Sequence, residues 1–283
     1  MKVHLWGTRG SIATASPETA RYGGNTACVE VRGHRGEVII LDAGSGIRPC
    51  GDTLAPDIGR VDILLSHLHM DHIQGLGFFR PWFRPELEVH VWGPASVRGT
   101  LWARLTRYLS PPLFPVRLRD LPSNVVLHEI ARREPLRIGE IEVTADPIIH
   151  PGPTVGYRLS EGGVTIAYLP DHEPALGSRR FPAGPRWTSG LSLAVGADLA
   201  IHDAQYTDAE YLERQGWGHS TLSHAMAFAA LAGTRRLVAF HRDPAHDDAE
   251  LDALIDAQPT EGNVELVPGL EGMTFELTRP TAT

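Results

Sequence analysis

The stretch Val61-Asp62-Ile63-Leu64-Leu65-Ser66 runs without a break into His67-Leu68-His69-Met70-Asp71-His72. A continuous apolar run of that length reads as a buried strand, and a cluster of metal-ligand side chains stands at the strand's end. In a loop or a first helical turn, the spacing lets His67 and His69 face one cation while Asp71 and His72 reach a second beside it. Neutral imidazoles and carboxylates are the ligands expected for zinc, and also for manganese or iron. The competing reading is a chance grouping of histidines on a polar loop.

One such cluster does not fill two coordination shells, so further ligands have to come from other strand ends. Three positions qualify. His150 closes the strand-like Ile141 to Ile149, Asp171 follows Thr165-Ile166-Ala167-Tyr168-Leu169-Pro170, and His241 follows Leu237-Val238-Ala239-Phe240. Ligands presented at the ends of rigid strands are how an α/β scaffold collects a site from distant segments.

The rest of the chain supplies the scaffold. Strand signals fall at Val3 to Trp6, Ala27 to Val31, Val38 to Asp42 and Leu87 to Trp92. They resume at Val125 to His128, Ile141 to Ala145, Val155 to Leu159, Val164 to Leu169 and Leu199 to His202. Helices are predicted over Ala95 to Leu109, Asp208 to Arg214, Thr221 to Leu231 and Ala245 to Ala257, with strands at Arg236 to Phe240, Val264 to Val267 and Met273 to Leu277. Two stacked sheets flanked by helices, an α/β class, is the architecture this order implies.

The ligand pattern resembles that of the metallo-β-lactamase superfamily, whose signature is an HxHxDH loop followed by a later histidine, a bridging aspartate and a final histidine. Carried over residue by residue, the resemblance implies that His67, His69 and His150 hold one metal. It implies that Asp71, His72 and His241 hold the other, with Asp171 bridging both. It covers residues 1 to about 245. It further implies an αββα sandwich of two stacked mixed sheets, one domain over 1–283, with two divalent metal ions at the edge between the sheets.

Two such ions lower the pKa of a shared water toward neutrality and stabilise charge at the scissile centre, so hydrolysis is the natural chemistry. The fold alone does not choose among β-lactams, thioesters, lactones and phosphodiesters. A second cluster helps: Ile201-His202-Asp203-Ala204-Gln205-Tyr206-Thr207, then Gly216-Trp217-Gly218-His219-Ser220-Thr221 at a helix start. The alkoxide expelled from a phosphodiester benefits from a positioned acid. His219 suits that task, with Asp203 orienting its ring and raising its pKa. The plainer alternative is that Ser220 or Thr221 caps the helix and the histidine is incidental. The pair resembles that of the superfamily's phosphodiesterase branch, in which a His-Asp or His-Glu dipeptide precedes a Gly-His-Ser-Thr segment.

Ribonuclease Z, in that branch, grips transfer RNA through an arm between the third histidine and the bridging aspartate. Here the interval His150 to Asp171 has room for one hairpin. The net charge of −8 likewise argues against a transfer-RNA substrate. The closer resemblance is to the small phosphodiesterases acting on cyclic phosphates or cyclic nucleotides, to whose N-terminal segments Gly7-Thr8-Arg9-Gly10-Ser11 and Tyr22-Gly23-Gly24-Asn25-Thr26 are similar. These segments are either plain turns or close approaches at which Asn25 or Thr26 meets ligands or phosphate. Asp42, in Asp42-Ala43-Gly44-Ser45-Gly46, is expected to support the histidine ligands from behind. His172 and His202 adjoin functional aspartates, but along a strand neighbours point to opposite faces, so both are expected to be structural. His224 and His246 are expected on helix or loop surfaces.

The expected activity is therefore phosphodiester hydrolysis by a metal-activated water, with Asp71 also helping to deprotonate that water and His219 as general acid. A carboxylic ester, lactone or thioester hydrolase on the same fold is the first alternative. A nucleotide-binding protein that uses its metals without turnover is the second. Hydrophobic residues make up 42% and charged residues 21%, ordinary for a folded chain. Cys28 and Cys50 are too few and too far apart for a zinc knuckle or redox pair. No apolar stretch approaches a membrane span, and the expected location is the cytoplasm. Arginines gather at Arg98, Arg104 and Arg107 and at Arg179, Arg180 and Arg186, expected as solvated surface. The arginine-bearing stretch from Arg104 to Pro115, with the aromatic Phe78, Phe79, Trp82 and Phe83 before it, is either a pocket wall for substrate or a homodimer contact.

Overall fold

Runs of aliphatic and β-branched residues become the strands of two sheets in the computed structural model, which describes residues 1–130, 135–174, 176, 181, 184, 188–259 and 262–279. The first sheet is built from β1 (Lys2–Gly7), β2 (Cys28–Arg32), β3 (Val38–Leu41), β4 (Arg60–Leu64), β5 (Glu88–Pro94) and β6 (Asn124–Ile130), adjacent in that order. The second contains β7 (Leu136–Ile138), β8 (Ile141–Pro147), β9 (Val155–Glu161), β10 (Val164–Leu169), β11 (Leu199–Asp203), β12 (Arg236–Phe240) and β13 (Glu265–Val267), again side by side. A last strand, β14 (Thr274–Glu276), returns to the first sheet and pairs antiparallel with β1. Arg179, Arg180 and Arg186 lie outside the described residues.

Both sheets are mixed in the same way. Strands β1 to β3 are antiparallel and β3 to β6 parallel. Strands β7 to β10 are antiparallel and β10 to β13 parallel. Side chains alternate across each strand. One set, including Leu5, Val29, Val31, Ile39, Tyr157, Ile166, Ile201 and Phe240, meets between the sheets as a single buried core. The opposite set packs outward against helices. On the first sheet, Val61, Ile63, Val89 and Val91 cluster with Ile47 and Cys50 of α1 (Ile47–Thr53) and Leu101 and Leu105 of α3 (Leu101–Leu105), beyond the one-turn α2 (Met70–Ile73). On the second, Ala167, Leu169, Ala200 and Leu237 cluster with Leu193 of α4 (Leu191–Ala194). They also meet Ala225, Phe228 and Ala229 of α6 (Leu222–Ala232), which follows α5 (Asp208–Arg214) and precedes α7 (Asp248–Asp256). The layers run αββα. No helix among the described residues is long and apolar enough to cross a membrane.

Most strands fall where the apolar runs place them, but the helix expected over Ala95 to Leu109 shrinks to α3. Gly99 has φ +128°, outside helical space, and Thr100 caps the helix by accepting from the Ala103 N–H at 3.2 Å. Helix α1 has no clear sequence signal because Pro49 and Gly51 lie within it. A proline is tolerated in the first turn, and burial of Ile47 and Cys50 against the first sheet supplies what propensity does not. Parallel strands expose their C-terminal ends along one rim, where a switch in strand direction opens a crevice. Asp42, His67 to His72, Asp171, Asp203 and His241 all emerge there, directly after β3, β4, β10, β11 and β12 or at the end of β11.

Candidate metal centre

Strand β4 ends at Leu64, and the chain turns so that His67 and His69 lie in its exit loop while Asp71 and His72 begin α2. His150 arrives from the far end of β8, Asp171 from β10 and His241 from β12. Two groups form: His67, His69, His150 and Asp171, and Asp71, His72, Asp171 and His241, each with candidate ligand atoms within 4.8 Å of one another. Asp171 belongs to both. Its Oδ2 lies 3.7 Å from His67 Nε2 and 3.6 Å from His150 Nε2, whereas its Oδ1 lies 2.9 Å from His72 Nε2 and 3.3 Å from His241 Nε2. His150 Nε2 and His69 Nδ1 are 3.1 Å apart, and Asp71 Oδ2 is 3.1 Å from His241 Nε2.

The far side of most of these rings is already tied, which fixes the tautomer and aims the free nitrogen inward. His72 Nδ1 donates to Asp42 Oδ2 at 2.7 Å, His150 Nδ1 to the Gly218 carbonyl at 2.9 Å, and His241 Nδ1 to Gln205 Oε1 at 2.9 Å. His67 Nδ1 lies 3.0 Å from Ser66 Oγ, whose own proton goes to Asp42 Oδ2 at 2.8 Å. Asp42 also accepts from Tyr168 OH at 2.9 Å and Ser66 N–H at 2.6 Å. The expectation that Asp42 backs the histidines therefore matches its position.

Asp42, His241 and Ser11 have φ of 58°, 56° and 60°, and among the described residues no other non-glycine residue is left-handed. All three meet at this centre, where the Ser11 N–H donates to Asp71 Oδ2 at 2.7 Å. Such backbone costs energy and persists where surrounding contacts over-determine it. Gly10 explains part of the fit, since a Cβ there would stand 2.4 Å from His241 Nδ1. Asn25 and Thr26, by contrast, are spent on structure. Asn25 bonds Glu271 and Ser45, and Thr26 Oγ1 accepts from Ser45 N–H and Gln74 Nε2, so they hold the Asp42 to Gly46 turn.

Burial holds the His67 imidazole well below its ordinary pKa, with the facing His72 adding to it, and lowers His69 too. It brings His150 to about 4, against a smaller pull from Asp171. These rings keep their lone pairs. Burial would raise Asp71 and Asp171, but the surrounding imidazoles, His72 and His241 above all, hold both well below the usual carboxylate range. Burial would likewise discharge His72, yet Asp171, Asp71 and Asp42 around it drive its pKa well above normal. His67 Nε2 is buried with no hydrogen-bond partner, and Asp171 Oδ1 is buried facing only the His72 and His241 imidazoles. Converging lone pairs, ionised carboxylates and an orphaned inward nitrogen are the donor set of a two-cation site, and the residues fit it.

Beside the centre, His219 Nδ1 donates to Asp203 Oδ2 at 2.7 Å, and its ring stacks on His241 with centroids 5.0 Å apart. Asp203, His219 and His241 form a third grouping of ligand type, but Asp203 is saturated. It also accepts from the N–H groups of His172, Gln205 and Ser220 at 3.2, 3.0 and 3.0 Å. Burial opposes a charge on His219, but Asp203, then Asp171 and Asp71, lift its pKa to about 9. Thr221 is the cap of α6, accepting from His224 N–H at 3.0 Å, so capping and the placement of His219 coexist in one segment.

His172 and His202 bond each other at 2.9 Å and pack on Phe228, away from the centre. His224 and His246 are buried, which corrects their expected surface position, and His246 bonds Glu210 at 3.0 Å. Phe79 and Trp82 are core, Arg104 is held by the Pro94 carbonyl and Glu129, and Tyr108 OH donates to the Gln74 carbonyl. Gln205, Ser66 and Ser11, which hold or crowd the candidate ligands, have no sequence signature; only their places beside the motif residues hint at them.

The sequence profile of the beta-lactamase superfamily domain matches residues 38–242, a span that contains every candidate ligand. The chain belongs to the beta-lactamase superfamily. Among curated relatives of this superfamily member is a protein named ribonuclease Z from Haloarcula marismortui, 24% identical over 325 residues, covering 100% of this chain and 98% of that one. Solved structures of like fold include human tRNase Z, short form, at TM-score 0.67 and 22% identity, covering 99% of this chain and 100% of that one. A diphosphatase from the PhnP family matches at TM-score 0.69 and 17% identity, covering 98% of each chain. This superfamily member is a metal-dependent hydrolase of the phosphodiesterase branch.

Proposed function

We propose that the chain cleaves a phosphodiester bond in a small substrate, a cyclic phosphate or cyclic nucleotide, at a centre of two divalent cations. Zinc is the first choice for that donor set, with manganese or iron as the other fits. His67, His69 and His150 would hold one cation, Asp71, His72 and His241 the other, and Asp171 would serve both. When bound, such a pair supplies a water acidified toward neutral pH and positive charge at the phosphoryl oxygens.

The chain's own groups do the rest. Asp71 Oδ2 is engaged by the Ser11 N–H and His241, which leaves Oδ1 to take up a proton from the attacking water. Asp203 fixes His219 through Nδ1, so that Nε2 is the atom that donates to the departing oxygen. This imidazole, oriented by Asp203 and stacked beside the centre, is the observation that carries the reading, because the alkoxide expelled from a phosphodiester needs an acid, whereas the thiolate leaving a thioester does not. The small size of the substrate is supported by the interval from His150 to Asp171, occupied by the β9–β10 hairpin, and by the net charge of −8.

Replacing the acid tests this. His219→Ala is expected to retain both metals and to lose about 10²-fold or more in kcat on diesters with poor leaving groups, with little loss on nitrophenyl esters. Loss of metal instead would make His219 a ligand, and equal loss on both substrates would remove it from leaving-group protonation.

A further inference from the structure

The segment that presents His219 is Gly216-Trp217-Gly218, and its backbone closes around a buried carboxylate that no motif points to. Glu173 is 1% exposed. Its Oε1 accepts from Gly216 N–H at 2.9 Å and from Tyr211 OH at 2.7 Å, while its Oε2 accepts from Gly218 N–H at 2.9 Å. Gly216 and Gly218 have φ of 85° and 90°, the conformation that lets alternate N–H groups turn toward one anion. A Cβ on Gly218 would lie 2.4 Å from His150 Nδ1, so the loop cannot approach that ring with any other residue.

Around this clamp the two halves of the site are joined. The Gly218 carbonyl receives His150 Nδ1, and the next residue is His219. Glu173 N–H donates to the Ile149 carbonyl at 3.0 Å, His172 N–H to Asp203, and Ser220 Oγ to the His172 carbonyl at 2.6 Å. The three residues Asp171, His172 and Glu173 therefore reach, in turn, the cluster of candidate ligands, the carboxylate that orients the acid, and the loop that carries it.

We propose that Glu173 is a positioning residue for general-acid catalysis: its carboxylate sets the Gly216 to Gly218 loop so that His219 Nε2 faces the leaving oxygen. Both carboxylate oxygens are needed. A glutamine keeps the shape but turns an NH2 toward one of the N–H donors, which breaks the clamp on one side without opening a cavity. A displacement of the acid of about 1 Å is enough to cost about 10²-fold in rate. The proposal rests on His219 being the acid, and the experiment separates the two.

Glu173→Gln, His219→Ala and the double variant are loaded with zinc, and kcat and KM are measured on one diester with a nitrophenyl leaving group and one with an alkyl leaving group. The expected result is a selective loss in kcat for Glu173→Gln on the alkyl diester, about 10-fold to 10²-fold, with KM little changed. The double variant is expected to be no worse than His219→Ala. Thermal unfolding of the zinc-free proteins, read by circular dichroism, is expected to change far less than a general loosening requires. Equal loss on both diesters, or additive losses in the double variant, would overturn the positioning role while leaving His219 intact. No leaving-group dependence for His219→Ala itself would instead remove the reading beneath it. Should Glu173→Gln not fold, Glu173→Asp takes its place, and amide exchange in the unsubstituted protein gives a second readout. Slow exchange at Gly216 and Gly218 in a loop whose Trp217 is 60% exposed supports the clamp, and fast exchange there refutes it.

Discussion

His219 and Asp203 are 2.7 Å apart, ring nitrogen to carboxylate oxygen, and the same carboxylate receives three backbone N–H groups. A carboxylate held on four sides does not follow its partner, so the ring orients to it. That geometry determines how activity should depend on pH.

Two opposing influences on the ring set the sign. Burial favours the neutral imidazole, and Asp203, Asp171 and Asp71 favour the charged one strongly enough to lift its pKa from 6.5 to about 9. Cations bound at Asp171 and Asp71 would offset their share and leave Asp203 as the main support. An acid works only while protonated, so kcat/KM on an alkyl diester is expected to fall along an alkaline limb whose midpoint lies above the ordinary 6.5 and no higher than about 9. Asp203→Asn should move that limb toward acid. A pH profile of the two proteins checks it, and an unmoved limb would detach Asp203 from the acid.

Asp42 backs His72 directly and His67 through Ser66. Asp42→Asn retains the volume and loses a charged acceptor, and metal affinity should fall by about 10-fold to 10²-fold. Competition with a chromophoric chelator measures it. Affinity within a factor of two of the unsubstituted protein would show that the histidines need no such support.

Gly10→Ala addresses the close approach at His241. With the new methyl 2.4 Å from its ring, His241 must leave its bond to Gln205, and metal content should drop toward one ion per chain with activity at least about 10-fold lower. Elemental analysis of the dialysed protein provides the count. Two retained ions would mean that the backbone at Gly10 yields more easily than the ring.

The strands and the ligand motif were legible because each has a local pattern. Val61, Ile63, Leu64 and Leu65 are apolar because β4 and its exit are buried on both faces, and His67 to His72 lie close together in the sequence as well as in space. His150, Asp171 and His241 could be found by asking what stands at each strand end. Helix α1 was hidden by Pro49 and Gly51, and the long helix expected before Ser110 was cut short by Gly99. The supports were least legible. Gln205 reaches His241 across 36 residues and Glu173 reaches Gly218 across 45, and a hydrogen bond between distant segments leaves no periodicity in either. Asn25 and Thr26 looked equally suited to substrate or to structure, and only their bonds to Glu271, Ser45 and Gln74 assign them to structure.

The measurement that bears most directly on the account is hydrolysis of bis-para-nitrophenyl phosphate by protein loaded separately with zinc and with manganese, beside 2′,3′- and 3′,5′-cyclic nucleotides and a lactone. Phosphodiester turnover that chelator abolishes and added metal restores is the predicted result. Silence on every phosphodiester, with turnover of the lactone, would contradict it.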